Sequence, residues 1–154
     1  MNDPEKAFHG IVSILRKHNV PFQIAGGLAA RVYGSTRKLA DIDIYIPSDG
    51  FEKILLDVKQ HIVFGPGHHK SDLWDLVYLK LDYDGQIIEL GDADNTKFRN
   101  ANTGQWEKED VDFSTSEIRE IFSISVPVMP KDKLLSYKSK LQREVDKIDL
   151  EQIK

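Results

Sequence analysis

The sequence of 154 residues contains no cysteine, which excludes disulfide bonds and thiolate metal sites. No apolar run approaches the roughly 18–20 residues of a membrane span, and the first residues, MNDPEKAF, lack the apolar core of a secretory signal. Basic charge is not in excess, since 21 Lys and Arg against 25 Asp and Glu give a net charge of −4. That balance argues against a protein that coats nucleic acid, although it allows a local basic patch. The sequence therefore predicts a cytoplasmic protein without membrane attachment.

Length and composition predict one globular domain over residues 1–154, because a chain of this length suits a single core. The 40% hydrophobic and 30% charged residues are the balance of a folded protein. Hydrophobic spacing predicts helices over residues 4–18, 28–33, 48–62 and 117–122, and a C-terminal helix over 131–152 packed on the core. Strands are predicted over residues 22–25, 41–46, 73–81, 86–90 and 124–129. Together these elements make an α+β fold, a small mixed β-sheet flanked by helices.

Three local signals refine these assignments. Asp84-Gly85 predicts a tight hairpin between two strands. Pro127 has no N–H for a sheet ladder, which places the last strand at an edge. Gly65-Pro66-Gly67 predicts a flexible polar loop that includes His68-His69, a pair without the acidic neighbours of a metal site.

Two aspartates on a predicted strand carry the strongest chemical signal. Side chains two residues apart on a strand share a face, so Asp41 and Asp43 lie side by side while Ile42 and Ile44 point into the core. Neighbouring carboxylates repel each other unless a cation lies between them, and their oxygens suit Mg²⁺ or Mn²⁺. The pair therefore predicts a divalent-metal site, with a solvated strand face as the alternative.

A glycine pair precedes this strand. Gly26-Gly27 lies between a buried strand and a helix, where glycine lets the backbone approach a ligand closely and where helix N–H groups can bind an anion. A phosphate at this turn, opposite two metal-binding carboxylates, is the layout for nucleotidyl transfer. Without a ligand, the same glycines make an ordinary tight turn.

A third carboxylate is needed to complete a metal cluster. Glu89 lies in the otherwise apolar strand over residues 86–90, where an acidic residue is unusual, and it is the first candidate. Asp92 and Asp94 are the competitors and look more like loop residues. From the sequence alone, the choice between Glu89 and Asp92 stays open.

These residues resemble a known family. Gly26-Gly27, Thr36-Arg37 and Asp41-Ile42-Asp43-Ile44 are similar to motifs of the DNA polymerase β-type nucleotidyltransferase superfamily. The nearest patterns are those of lincosamide and aminoglycoside nucleotidyltransferases and of toxin-type nucleotidyltransferases from abortive-infection systems. Ile88-Glu89-Leu90 resembles the strand that carries the third acid, which in those families is often Asp. Leu135-Ser136-Tyr137-Lys138 resembles the helix that follows their catalytic core.

The resemblance implies a fold of the polymerase β palm type and a two-metal mechanism. Asp41, Asp43 and Glu89 would be the catalytic residues and the metal ligands for Mg²⁺, with Glu89 as a ligand or as the general base. The acceptor oxygen would attack the α-phosphorus of a bound NTP. Arg37 and Lys138 would neutralise the triphosphate. The alternatives are that Arg37 is a surface cation and that Lys138 lies on a solvated helix face. The implied nucleotide-binding residues are Gly26, Gly27, Thr36, Arg37 and Lys138.

The predicted function is Mg²⁺-dependent transfer of an NMP from an NTP to a hydroxyl of a small molecule or other acceptor. ATP is the commonest donor in the resembling families. One alternative is a catalytically silent nucleotidyltransferase-like binding or regulatory module, for example in a toxin–antitoxin pair, because only 24 residues follow Pro130 to shape an acceptor pocket. Another is a glycosyltransferase that holds Mn²⁺ and a nucleotide sugar, which leaves Gly26-Gly27 unexplained.

Predictions about partners follow from charge and size. The acidic balance argues against a long nucleic acid but leaves a protein hydroxyl or an RNA end open as acceptors, beside a small hydroxylated molecule. A domain of this size has few walls for an acceptor pocket, which predicts a symmetric homodimer whose two chains complete one pocket.

Overall fold

The computed structural model describes residues 3–153. Helix α1 (Pro4–Lys17) begins as its sequence predicts, because the Asp3 carboxylate accepts a hydrogen bond from the backbone N–H of Lys6 at 3.1 Å. Within the described part of the chain, no helix combines the length and apolar character that a membrane crossing requires. The other helices are α2 (Gly26–Val32), α3 (Gly50–Val58), α4 (Lys131–Leu141) and α5 (Glu144–Gln152).

Nine strands within residues 3–153 form one mixed sheet. They are β1 (Gln23–Ala25), β2 (Ile42–Ile46), β3 (Ile62–Lys70), β4 (Trp74–Tyr83), β5 (Gln86–Asp92), β6 (Lys97–Arg99), β7 (Trp106–Lys108), β8 (Glu117–Ile121) and β9 (Ile124–Val128). Their order is β7-β6-β4-β5-β2-β1-β9-β8, and β3 also pairs with β4. The β2/β5 and β1/β9 pairs are parallel and the others antiparallel. The predicted α+β class is confirmed.

The centre of the sheet has one apolar and one polar face. On β2 the isoleucines alternate with Asp43 and Tyr45, and Asp43 lies opposite Glu89 of β5 in the parallel register. Asp43 and Glu89 therefore share a face. The opposite face is buried in the core, where its central members are Ile42, Ile44, Ile46, Ile88 and Leu90.

The hairpin formed by β8 and β9 corrects two predictions. The predicted helix over residues 117–122 is wrong, because this segment pairs with β9 along its whole length. Phe122 and Ser123, both with positive φ, form the two-residue turn that suits the twist of a hairpin. The predicted edge position of residues 124–129 is also wrong, since β9 lies between β1 and β8. Pro127 is tolerated there because β9 pairs with β1 only at Val128.

The predicted flexible loop after Gly65 is wrong as well, because the segment belongs to strand β3. The β3/β4 ladder shifts its register on both sides of Phe64, and these irregularities absorb the Gly65-Pro66-Gly67 sequence, which cannot keep a regular ladder. His68 and His69 consequently lie on a paired strand.

The predicted single helix over residues 131–152 is two helices. Helix α4 ends at Leu141 because Gln142 adopts a left-handed φ of 60°. The backbone N–H of Arg143 then donates to the carboxylate of Asp146 at 3.0 Å, which caps the start of α5. The break lets α5 fold back on α4, where Nζ of Lys138 lies 3.2 Å from Oδ1 of Asp146.

Candidate active site

A cleft of about 360 Å³ opens on the polar face of the sheet. Strands β2 and β5 supply Asp43 and Glu89, and Asp41 immediately precedes β2. Strand β4 forms one side of the cleft, and helix α4 and the start of α5 form another. The residues that matter for its chemistry are Gly26, Asp41, Asp43, Glu89, Tyr137, Lys138 and Arg143.

The carboxylates of the cleft influence one another. Burial raises the pKa of Asp43 to about 7, and the neighbouring charges of Glu89 and Asp41 add to this rise. Burial, followed by the charge of Asp41, also raises the pKa of Glu89. Lys80, the register partner of Glu89 on β4, opposes that second shift. The three acids thus form one electrostatic unit with unrelieved negative charge.

Gly26 makes room for one of these acids. Its φ of +58° is left-handed, and a Cβ on this residue would lie 2.2 Å from Oδ2 of Asp43. The sequence predicts that this glycine lets the backbone approach a ligand. In the folded chain, the glycine backbone lies directly against the carboxylate.

The acidic group has the donor chemistry of a divalent-cation site. Asp41, Asp43 and Glu89 offer only carboxylate oxygens, which Mg²⁺ and Mn²⁺ prefer, and a cation would relieve the repulsion among them. Across residues 3–153, no three His, Asp or Glu side chains are close enough together to form a complete ligand group. The residues therefore fit a cation that takes further ligands from substrate phosphates and water.

The competing acids Asp92 and Asp94 do not line the cleft and instead bind the segment around Ser48. Ser48 Oγ donates to Oδ1 of Asp92 at 2.8 Å, and the backbone N–H of Ser48 donates to Oδ2 of Asp94 at 2.9 Å. Both acids thus stabilise the turn at Ser48, whereas Glu89 faces the cleft.

Arg37 and Thr36 do not line the cleft. The Arg37 guanidinium makes two hydrogen bonds to Asp149, from Nε at 2.8 Å and from Nη2 at 2.9 Å. Its other neighbour is Gly27, where a Cβ would lie 3.1 Å from Nη2. Thr36 exchanges two hydrogen bonds with Gln152 of α5. Both side chains tie the segment before β2 to the last helix.

Lys138 lines the cleft but is 1% exposed. Its ammonium group lies 2.9 Å from Oδ2 of Asp149 and 3.2 Å from Oδ1 of Asp146. Two buried carboxylates therefore already neutralise it. The cations that the sequence assigns to the triphosphate, Arg37 and Lys138, are both engaged by Asp149.

Arg143 is the cation that faces the cleft with bonding capacity left. Its Nε and Nη2 donate to the two oxygens of Asp146 at 2.7 and 2.9 Å, and its guanidinium lies 4.9 Å from the centre of the Trp74 ring. The indole N–H of Trp74 in turn donates to the Tyr137 hydroxyl at 2.7 Å. Arg143 is therefore held from two sides, and its Nη1 has no hydrogen-bond partner within residues 3–153.

The sequence-based reasoning missed several residues of the cleft. Neither Arg143 nor Trp74 belongs to a predicted site, and His69 falls in the segment predicted to be a loop. The alternation of Trp74, Leu76 and Tyr78 along β4 could have identified the wall that this strand gives to the cleft, because β4 pairs with β5. No short-range sequence pattern predicts that the Arg143 guanidinium lies over the Trp74 ring.

A buried acid near the cleft gives a prediction about pH. Glu109 is 3% exposed, its Oε2 finds no hydrogen-bond partner among residues 3–153, and burial raises its pKa to about 7. Because the native state keeps a proton that the unfolded chain releases near pH 4.5, the free energy of unfolding should fall by about 3 kcal/mol as pH rises through 7. We expect Glu109→Gln to reduce the decline by about this amount in urea unfolding measured from pH 4.5 to pH 8, while the raised pKa of Asp43 keeps a second part of the decline.

Glu107→Gln is the matched control, because Glu107 lies on β7 and pairs with Lys140 at 3.0 Å in a more exposed position. This variant should keep the wild-type decline. The same decline in Glu109→Gln would show that another group causes it.

The fold of the chain is similar to that of solved nucleotidyltransferases. A proposed nucleotidyltransferase from Thermotoga maritima matches with a TM-score of 0.74 and 22% identity, over 96% of this chain and 90% of that chain. The lincosamide antibiotic adenylyltransferase LnuA, solved with lincomycin, matches with a TM-score of 0.63 and 17% identity, over 98% and 96%. The antibiotic-resistance factor ANT(2'')-Ia matches with a TM-score of 0.58 and 15% identity, over 96% and 78%. No protein-family profile and no curated protein sequence matches the chain.

Proposed function

We propose that this protein transfers a nucleoside monophosphate from an NTP to a hydroxyl group of an acceptor. The observation that carries the proposal is the placement of Asp43 opposite Glu89 on one sheet face, with Asp41 beside them in the cleft. A nucleotidyltransferase fold around these acids supports it. We propose ATP as the donor, since LnuA is an adenylyltransferase and ANT(2'')-Ia has been solved with adenylyl-2''-tobramycin.

The three acids of the cleft and Arg143 have roles in this proposed reaction. Asp41, Asp43 and Glu89 would hold Mg²⁺ or Mn²⁺, which supplies positive charge for the triphosphate and lowers the pKa of the acceptor hydroxyl. Arg143, oriented by Asp146, would neutralise phosphate charge through its free Nη1.

Glu89 would also act as the general base, because burial and the charge of Asp41 raise its pKa and a raised pKa makes a carboxylate a better proton acceptor. The acceptor oxygen would form a bond to the α-phosphorus while the bond from that phosphorus to the leaving oxygen breaks. The hydroxyl proton would pass to Glu89 and pyrophosphate would leave.

The cleft favours a small acceptor. A volume of about 360 Å³ falls within the range of small-molecule sites, and Trp74, Tyr78 and Tyr137 give it aromatic walls. LnuA with lincomycin and ANT(2'')-Ia with adenylyl-2''-tobramycin are fold relatives with ligands of this class. We therefore propose a small hydroxylated molecule. A silent binding module is the second candidate, and the incomplete ligand group within residues 3–153 favours it.

Calorimetric titration with a non-hydrolysable ATP analogue, with and without Mg²⁺, tests the proposal. We expect binding that depends on Mg²⁺ and that weakens at least about 10-fold in Asp41→Asn, because a ligand of the cation is lost. Asp49→Asn is the matched control, since Asp49 is an exposed aspartate on the other side of β2, and it should bind as the wild type does. Absence of Mg²⁺-dependent binding with analogues of all four common NTPs would contradict enzyme activity and favour the silent module.

A further inference from the structure

A row of charged residues crosses the sheet on the face opposite the cleft. Lys70 of β3, Asp75 of β4, Lys97 of β6 and Lys108 of β7 are successive register partners. Their side chains point away from the cleft, because the neighbours Trp74 and Leu76 on β4 point into it. Arg99 and Trp106 form the next pair on the same face. We call Lys70, Lys97, Arg99, Trp106 and Lys108 the basic patch.

The basic patch is exposed and is only partly neutralised by the chain. All five of its residues are exposed, including Trp106 at 40%. None of its four cations makes a salt bridge with an acid of residues 3–153. Asp75, the acid within the row, has Oδ1 2.5 Å from Nε2 of His68. Asp75 is also the register partner of Lys70 and Lys97, so one carboxylate faces four cations, and the patch keeps a local positive charge in a protein of net charge −4.

This arrangement costs the isolated protein stability. Like charges directly opposite each other on neighbouring strands repel, and Lys97 and Lys108 form such a pair. Lys70 adds a third cation, with Nζ 5.5 Å from the centre of the Trp106 ring. A partner that brings negative charge would relieve the repulsion.

We infer that the basic patch binds single-stranded nucleic acid. Phosphates would contact the lysines and Arg99. Movement of the Lys70 ammonium from the Trp106 ring to a phosphate would free that ring face for a base to stack on, which is the combination that single-strand binding surfaces use. The tryptophan favours nucleic acid over an acidic protein segment, because Asp and Glu side chains have no flat face to stack. Four cations on short strands would contact only a few nucleotides, so this inference agrees with the expectation that a long nucleic acid does not bind.

The patch adjoins the cleft at the β3 strand. His69, the residue before Lys70, lines the cleft, so cleft and patch lie on the two sides of one strand. The inference concerns a surface outside the cleft and stands independently of nucleotidyl transfer.

Fluorescence anisotropy of a fluorescein-labelled 12-nucleotide oligouridylate, titrated with the full chain without NTP or Mg²⁺, tests the inference. We expect binding at low salt whose logarithmic salt dependence has a slope near −3, about −0.7 for each of four phosphate contacts. Trp106→Ala and Lys108→Glu should each weaken it by about 5-fold or more. Lys59→Glu is the matched control, because Lys59 is exposed, lies outside the patch and changes net charge equally, and it should bind within about 2-fold of the wild type.

Three outcomes would overturn the inference. No binding at low salt would exclude the surface, and equal weakening in Lys59→Glu and Lys108→Glu would assign the binding to net charge alone. Binding of a labelled 12-residue polyglutamate as tight as that of the RNA, with the same loss in Trp106→Ala, would make an acidic protein the partner. Circular dichroism of each variant confirms that these surface changes leave the fold intact.

Discussion

Asp43→Asn should abolish nucleotidyl transfer and leave the fold intact. The substitution keeps the shape of the side chain but removes a charge that would hold the cation, so we expect turnover to fall by more than about 100-fold. The free energy of unfolding should stay the same or rise by up to about 1 kcal/mol, because the like-charge repulsion from Glu89 and Asp41 is relieved. Transfer of label from α-labelled ATP to a panel of hydroxylated small molecules measures the first effect, and urea unfolding without metal measures the second.

The two readouts separate a catalytic from a structural role. Asp72→Asn is the matched control, because Asp72 is an exposed aspartate between β3 and β4, and both of its readouts should equal those of the wild type. A clear loss of stability in Asp43→Asn would make Asp43 a structural residue. Full turnover in a stable Asp43→Asn would remove it from the proposed site.

The parts of the site that could be predicted from the sequence depend on short-range geometry. The alternation of Asp41 and Asp43 with isoleucines fixes which side chains share a face, and period-2 spacing is visible within five residues. The hairpin at Asp84-Gly85 is equally local, since both residues adopt the positive φ that this turn requires. That hairpin orients β5, so the position of Glu89 opposite Asp43 follows from two local signals and one parallel pairing.

The errors arose where tertiary pairing decided the local structure. Residues 117–121 have a helix-compatible composition, yet the ladder with β9 makes them a strand. Gly65-Pro66-Gly67 has the residues of a loop, yet pairing with β4 carries the strand through it by shifting register. The prediction that Arg37 binds the triphosphate failed for a similar reason. Arg37 donates a hydrogen bond to Asp149, which lies more than 100 residues later in the sequence, and no short-range pattern shows this contact.

Asp149→Asn should cost the protein about 3 kcal/mol of stability, because it breaks a buried ion network and leaves cations without their partner. The Asp149 carboxylate is fully buried. It accepts hydrogen bonds from Ser35 Oγ at 2.6 Å and from Arg37 Nε at 2.8 Å, and Nζ of Lys138 lies 2.9 Å away. Burial alone would raise its pKa, but these partners outweigh burial and lower the pKa to about 2. The carboxylate therefore stays ionised and joins α5 to α4 and to the segment before β2.

Urea unfolding at pH 7 measures this loss, and Asp57→Asn is its matched control. Asp57 also has two partners, Lys17 at 3.2 Å and the His18 ring at 2.7 Å, but its side chain is 27% exposed, so its removal should cost much less than that of Asp149. The folded pKa of Asp149 lies below the unfolded value of 3.8, so its stabilisation is present above pH 3.8 and is lost as pH falls toward 2. The difference between the wild type and Asp149→Asn should shrink accordingly in acid. Equal losses in the two variants at pH 7 would show that burial adds nothing to the strength of this network.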